Sequence, residues 1–366
     1  MTPPSVHQFH PNVAVGDAVT NGMLLTRELL REMGLRSEIY AFIIGPGLEG
    51  DVRPYQALRP EGAALLVHHS HGHELEAWLA GVPARRFLVY HNITPARFFV
   101  PGSTHYRYSL LGREMLARHR ERMPAALADS EHNASELRAL GYGDVRVLPL
   151  LFDLDAIRRA PHAPPGALGD DGAFHALFVG RIAANKCQHD LVQVAWYLRQ
   201  LMPRPVRLAL VGEYRGHDPY YCYLRDVIDR LDLSAEVRLT GHVSNEELYG
   251  WYRRADVFVC LSEHEGFGVP LVEAMALDVP IVAYQSSSVP ETVGPGGLIV
   301  ARKDHARIAA LLAVLARDGA TREALRRGRQ ARLESLSRER LKAGLAAFLQ
   351  EQGIAVPRPP AAVRAA

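Results

Sequence analysis

Short apolar runs recur along this chain, separated by longer stretches in which apolar residues fall at helical spacing. Residues 37–44, 64–67 (ALLV), 87–90 (FLVY), 125–129 and 145–150 read as strands, brief apolar segments bounded by polar or turn-forming residues. Met23, Leu24, Leu25, Leu29, Leu30 and Met33, closing at Gly34, predict a helix that follows a loop beginning at residue 13. The alternation restarts further on. Strands at 175–179, 207–211, 237–239, 257–261 and 280–283 interleave with helices at 188–201, 220–231, 245–254 and 271–276. Strand–helix alternation of this kind predicts parallel α/β architecture. Between the two series lies APHAPPGALGDDGA (160–173), the strongest linker composition in the chain. The pattern therefore predicts two doubly wound, Rossmann-like domains, 1–160 and 174–335, joined by a linker at 161–173. Residues 307–349 read as helical, and the Pro/Ala tail at 353–366 is expected to be disordered from about residue 357.

Length and composition agree with that reading and narrow the function. At 366 residues the chain exceeds a single hydrophobic core, and 48% apolar content is that of a globular protein. No segment has the ~18 uninterrupted apolar residues of a membrane span. The start, MTPPSVHQFHPN, lacks a charged region followed by an apolar one, so no signal peptide is expected. Cys187, Cys222 and Cys260 are scattered without metal-ligand spacing, which predicts a reduced, cytoplasmic setting. A net charge of +2 argues against a general nucleic-acid binder. Lys186, Lys303 and Lys342 are the only lysines among many arginines.

Candidate chemistry lies where the second series of strands ends. Glu265-Gly266-Phe267-Gly268-Val269-Pro270-Leu271-Val272-Glu273 follows the strand at 257–261. Its glycines permit a sharp turn and close approach of a ligand, and Pro270 suits the first turn of a helix. Glu265 on the loop and Glu273 in the helix then face the carboxyl end of a sheet, where open α/β folds bind ligands. Two acceptors so placed suit a polyhydroxylated ligand, although a solvated first-turn Glu273 fits the same pattern. Gly180-Arg181-Ile182-Ala183-Ala184-Asn185-Lys186 sets a cation at each end of a loop before a helix. That is the make-up of a diphosphate site or of two unliganded surface cations. A third strand ends at Gly212-Glu213, and Gly241-His242-Val243-Ser244-Asn245 combines a turn with a helix start, Ser244 or Asn245 being the cap.

Taken in order, these segments resemble the retaining nucleotide-sugar glycosyltransferases of family 4. The resemblance rests on GRIAANK (180–186), LVGE (210–213), LTGHVSNEELYGWYRRADVFVCLS (239–262), EGFGVPLVEAMALDVPIVA (265–283) and VPETVGPGGLIV (289–300). The first domain matches more loosely, through a glycine loop at Gly16, His91 after a strand, ALADSEHNASEL (126–137) and VLPLLFDLD (147–155). The resemblance implies the GT-B fold, two Rossmann-like domains facing a central cleft, with the helix at 336–352 crossing back to the first domain. It implies that Arg181 and Lys186 hold the donor's diphosphate and stabilise the leaving charge, while Glu273 accepts from the ribose hydroxyls. Glu265 contacts the transferred sugar, beside Gly266 and the backbone of Phe267 and Gly268. Gly180, Gly212, His242, Val243, Val269 and Leu271 complete the donor site of the second domain. Gly16 lies under the phosphates from the first domain, and His91 near the sugar, as a hydroxyl partner or a guide for the acceptor. Arg181, Lys186, Glu265 and His91 form the implied catalytic set.

The implied reaction moves a hexose, mannose being one candidate, from a nucleoside-diphosphate sugar to a saccharide or lipid-linked acceptor in cell-surface or exopolysaccharide synthesis. No cofactor or metal is expected, because Arg181 and Lys186 neutralise the diphosphate. Asp153-Leu154-Asp155 has a metal-binding spelling in a position remote from the phosphates, and His68, His69, His71 and His73 are expected on a solvated loop. Cys187 and Asp278 stand where the family has glycine, and Cys187 beside the phosphates predicts oxidation sensitivity. Asp17, following Gly16, is expected to cap a helix or orient the acceptor. Residues 106–123 (YRYSLLGREMLARHRERM) mix Arg with Tyr and Leu, as a membrane-surface helix or an ordinary exposed helix does. A nucleotide-sugar epimerase or hydrolase on the same fold is the alternative enzyme, and a silent sugar-nucleotide binder is a further one. A nicotinamide oxidoreductase is excluded, since no strand is followed by G-x-G-x-x-G and an acid about 20 residues on.

Overall fold

The computed structural model describes residues 4–60, 62–163 and 172–357, arranged as two compact units. The described residues up to 153, with 336–357, make up the first unit and those between 154 and 335 the second. The expected linker lies mostly outside the described residues, at 164–171, and so does the tail from 358.

The first unit is built on a seven-stranded sheet in the order β3-β2-β1-β4-β5-β6-β7. Its strands are β1 (Ser5–Val13), β2 (Ile39–Ile44), β3 (Val52–Pro54), β4 (Ala63–His69), β5 (Arg85–Tyr90), β6 (Ala125–Ala128) and β7 (Asp144–Val147), all parallel. The second unit carries β8 (Phe174–Val179), β9 (Val206–Val211), β10 (Val237–Gly241), β11 (Val257–Cys260), β12 (Ile281–Tyr284) and β13 (Gly297–Val300). Their order is β10-β9-β8-β11-β12-β13, again parallel throughout. In both sheets the winding reverses beside the first strand, between β1 and β4 and between β8 and β11. Loops leaving the carboxyl ends of two such strands diverge and open a crevice, the usual ligand position in this architecture.

The predicted strands appear within three residues of their expected ends, and three strands, β1, β3 and β13, fall outside the predicted set, β1 being the longest of them. β1, an interior strand of the first sheet paired with β2 and β4, sits in a stretch the apolar pattern passed over. Its His7, Gln8 and His10 are buried, so the run His7-Gln8-Phe9-His10 reads as polar although seven consecutive residues of the strand lie inside. The helical stretch near the end of the chain resolves into His305–Leu315, Gly319–Ser335 and Arg338–Glu351. The last of these belongs to the first unit. Leu345, Phe348 and Leu349 join its core, Leu341 packs with Leu25, Leu29 and Leu151, and Phe348 meets Phe87 edge-on at 5.5 Å. That i, i+4, i+7, i+8 stripe buries four large side chains, at roughly 2 kcal/mol each.

Candidate functional site

The carboxyl edge of the second sheet is laced together by backbone. Gly180 N–H donates to the Val211 carbonyl at 2.9 Å, Ile182 N–H to Glu213 at 3.0 Å, and Gly212 N–H to Gly241 at 3.2 Å. Gly212 has φ +151°, and a Cβ there would lie 2.2 Å from the Gly180 carbonyl oxygen. Only glycine allows the loops after β8 and β9 to meet so closely. The loop after β8 then makes a short turn, Ala184–Lys186, and enters the helix Gln188–Leu201 through Cys187 at φ +51°. Arg181 is exposed and has no ion-pair partner among the described residues.

Lys186 and Glu265 meet across the reversal point of this sheet. The Lys186 ammonium donates to Glu265 Oε2 at 2.6 Å, and Glu265 is 7% exposed. Below them the glycine corner is pinned from β12 and the helix beyond it. Ser288 Oγ donates to the Glu265 carbonyl at 3.2 Å, Thr292 Oγ1 to the Phe267 carbonyl at 2.6 Å, and Ser286 Oγ to the Ser262 carbonyl at 2.6 Å. Gly268 turns at φ +89° into the helix Val269–Ala276, with Pro270 in its first turn. Phe267 and Leu271 are buried, so these positions can face a ligand only through backbone. Glu273 accepts from the hydroxyl of fully buried Tyr252 at 2.7 Å. Burial pushes the Glu273 carboxyl up to about 7, against the pull of the Tyr252 bond. His242 is exposed and Val243 half-buried on the turn after β10, where Ser244 forms a capping box with Glu247.

An ion cluster around buried Asp190 braces the cation loop from behind. Asp190 accepts from Lys303 Nζ at 2.8 Å and His305 Nε2 at 2.9 Å, and Lys303 also reaches Glu263 at 3.1 Å. Glu263 N–H donates to the Asn185 carbonyl, and Asn185 Nδ2 to the His264 carbonyl, which ties the phosphate-type loop to the glycine corner. Sequence reasoning missed Asn185, Asp190, Tyr252 and Lys303; the scarcity of lysine was the one available sign for Lys303. It also misjudged Cys187. The thiol is buried and pushed up by that burial, which disfavours the reactive thiolate. Both non-glycine replacements do occupy glycine-like backbone, Asp278 at φ +59° with its carboxylate bonded to buried Arg329 at 2.6 Å.

The first unit holds Gly16 and His91. Gly16 turns at φ +80° in an exposed loop after β1, and Asp17 caps the next helix, accepting from Thr20 N–H at 2.9 Å. His91 is buried, with Nδ1 2.8 Å from Asp129 Oδ2 and Nε2 2.8 Å from His68 Nδ1, so neither ring nitrogen is open to a sugar hydroxyl in this arrangement. The expected solvated histidine loop is an interior one: His68, His69 and His73 are all buried. The helix Thr104–Arg122 lies against it where Gly72 and Gly112 touch, a Cβ on Gly72 falling 2.5 Å from the Gly112 amide nitrogen. His119 is buried by the same approach.

That helix also engages its own arginines. Arg113 donates to the Ile93 carbonyl, Arg120 to the Leu140 carbonyl, and Arg118 grips Glu76 with two bonds of 2.7 and 2.8 Å. Among the described residues no three His, Cys, Asp or Glu side chains are grouped to hold a metal ion, Asp153-Leu154-Asp155 included. Among the described residues no helix is long and apolar enough to cross a membrane.

Residues 167–332 match the family model described as glycosyl transferases group 1. The O-antigen chain mannosyltransferase B of Escherichia coli is 32% identical over 152 residues, 41% of this chain and 38% of that protein. A D-inositol 3-phosphate glycosyltransferase of Pseudarthrobacter chlorophenolicus is 35% identical over 156 residues, 42% of this chain and 37% of that one. The chain thus spans well under half the length of these relatives. In fold it is similar to HepE of Anabaena, whose crystal structure holds UDP and glucose: TM-score 0.73 at 19% identity, over 95% of this chain and 100% of that one. The two parallel sheets with alternating helices are those of the GT-B fold.

Proposed function

We propose that this chain, whose residues 167–332 match the family model of glycosyl transferases group 1, moves a hexose from a nucleoside-diphosphate sugar to a saccharide or lipid-linked acceptor. The observation that carries the reading is the Lys186–Glu265 pair at the reversal point of the second sheet. Without a donor, the ammonium is neutralised by Glu265. A diphosphate arriving between Lys186 and exposed Arg181 competes for that ammonium and frees the carboxylate to accept from sugar hydroxyls. Glu273, steadied by Tyr252, is the acceptor for the ribose hydroxyls.

The reaction retains configuration in this reading. The bond from the anomeric carbon to the phosphate oxygen breaks, the bond to the acceptor oxygen forms on the same face, and the acceptor's proton passes to the leaving phosphate. Phosphate is a stable leaving group and needs no acid, so Glu265 binds and does not attack. Arg181 and Lys186 supply the charge that stabilises the departing diphosphate, and no divalent ion is required. Gly16 and His91 enter the reading from the sequence resemblance alone. The Escherichia coli relative, a mannosyltransferase by name, supports a hexose donor. A lipid-linked acceptor in surface polysaccharide synthesis agrees with the O-antigen relative. Contact with a membrane through 106–123 would fall to exposed Arg107 and Leu110, since Arg113, Arg118 and Arg120 are bound within the unit. Equal vesicle binding by wild type and Leu110→Asp would remove that contact.

The test is a thermal-shift screen of nucleoside diphosphates with and without Mg²⁺, followed by a turnover assay with and without acceptor. Stabilisation by one base, undiminished by a chelator, and donor consumption that needs acceptor are the expected results. Equal donor consumption without acceptor would replace the reading with the epimerase or hydrolase.

A further inference from the structure

The flank of the first unit carries a groove that the proposed reaction leaves unused. It lies between the turn Tyr55–Ala57, which leaves edge strand β3, and the helix Glu76–Gly81, which precedes β5. Pro60 and Pro83 line it just ahead of β4 and β5, so it runs toward the amino ends of those strands, whereas Gly16 and His91 follow the carboxyl ends of β1 and β5. Its volume is about 320 Å³, at the lower end for small-molecule sites. Two aromatic rings shape it. The centroids of Tyr55 and Trp78 are 4.8 Å apart with the planes at 81°, edge against face, so the pair forms a corner. Each ring is held from behind: Phe9 of β1 lies 5.0 Å from Trp78, and Phe42 of β2 lies 5.8 Å from Tyr55. Both half-buried rings rest on the core cluster that includes Leu58 and Val82. Arg59 fixes the turn by donating to the Gln56 and Leu58 carbonyls at 3.0 and 3.1 Å.

The polar groups of this corner are not spent on the fold. The hydroxyls of Tyr90, Tyr142 and Tyr252 each bond inside the protein, to Glu136, the Leu116 carbonyl and Glu273. The Tyr55 hydroxyl, the Trp78 indole N–H and the Gln56 amide have no such partner among the described residues, and none of them is shut away from solvent. The indole only donates; the hydroxyl and the amide both donate and accept. Among the described residues no charged side chain lines the groove. We propose that this groove is a saccharide site, separate from the transfer site, that holds a neutral mono- or disaccharide unit of a glycan. A sugar ring has an apolar C–H face and a rim of hydroxyls that donate and accept, which is what the corner complements. Rings already locked in place cover the apolar face at small entropic cost. A phosphorylated or acidic ligand would lose its hydration without a counter-charge. A proline-rich peptide lies along an extended aromatic groove, whereas rings at 81° make one compact corner.

The use of the site rests on the transferase reading: a second grip on a glycan keeps a growing chain beside the enzyme between turnovers. The binding itself does not. The experiment follows the indole N–H correlations of the three tryptophans, Trp78, Trp196 and Trp251, in the ¹⁵N-labelled full chain. Trp78 is assigned by its loss in Trp78→Phe. Mannobiose, maltose and cellobiose are titrated in turn, without donor. At least one is expected to shift Trp78 saturably and to leave Trp251 unmoved. Gln56 is exposed, so Gln56→Ala keeps the fold, and it is expected to weaken that binding by about five-fold or more. No saturable shift with any of the disaccharides overturns the proposal, and so does undiminished binding in Gln56→Ala. A Trp78 shift with a proline decapeptide in place of the sugars would give the groove to a peptide, and one with a nucleoside diphosphate would give it to the donor; either overturns the assignment. The titration needs neither donor nor turnover, so failure of the transferase reading and failure of this one are separately visible.

Discussion

The carboxyl edges of the two sheets have the same topology and opposite chemistry. In the second unit the edge is made of glycines that let backbone loops touch, with Arg181 exposed and a half-buried Lys186 shared with one carboxylate. In the first unit it is made of histidines buried against one another, Asp129 and the Gly72–Gly112 crossing. One edge leaves a cation exposed; the other keeps charge and polarity inside. A doubly wound sheet fixes where its strand ends gather and leaves the chemistry at those ends to the loops.

The largest expected effect separates the two edges by acidity. Burial holds His69 at about 4 and His73 and His119 at about 3, and each has a ring nitrogen without a hydrogen-bond partner. A folded-state value below that of the unfolded chain means that the unfolded chain takes up the proton first. The stability these neutral histidines contribute is whole above about pH 6.5 and is lost as pH falls toward 4 and 3, by up to ~4 kcal/mol per pH unit where all three titrate. Hydrogen exchange followed from pH 7 to 5 should show the first unit opening before the second; simultaneous opening would break the contrast.

Activity should divide within the second edge. On the proposed reading, in which the Lys186 ammonium meets the charge developing on the leaving diphosphate, Lys186→Ala is expected to lower turnover by ~10³-fold. On the same reading Glu273 meets a part of the donor that does not change in the reaction, so Glu273→Ala should chiefly raise the donor KM, by about ten-fold. Steady-state kinetics on both variants decides this, and equal losses of kcat would dissolve the distinction. Smaller still is the contrast between two glycines. Gly212→Ala drives a methyl into the Gly180 carbonyl and should cost about 3 kcal/mol or more, whereas Gly16→Ala meets open space and costs only ~1–2 kcal/mol for its backbone conformation. Denaturant unfolding measures both, and similar losses would show that the close approach of the loops matters little.

Legibility in the sequence follows the same divide. The second edge could be read because its residues act through special backbone and charge, which leave short motifs: GRIAANK, EGFGVPLVE and the capped turn at Ser244 all lie where the pattern predicts. β1 could not be read. Its buried Gln8 and His10 break the apolar run, and their partners, His68 and Ser70, are about sixty residues away. The histidines at 68–73 look like a loop because nothing local shows that Gly112 lets a helix close over them. Asp190 and Lys303 are likewise joined across 113 residues, a pairing no spacing rule reaches. Periodicity finds walls, and motifs find ligand-facing corners; polar groups that satisfy one another in the interior leave neither mark.

Calorimetric titration of the nucleoside diphosphate selected by the screen, in the presence of a chelator, tests the central claim most directly. Saturable binding to the wild type, weakened at least ~10-fold in Arg181→Ala and again in Lys186→Ala, is the predicted result. Equal affinity in all three proteins would contradict it.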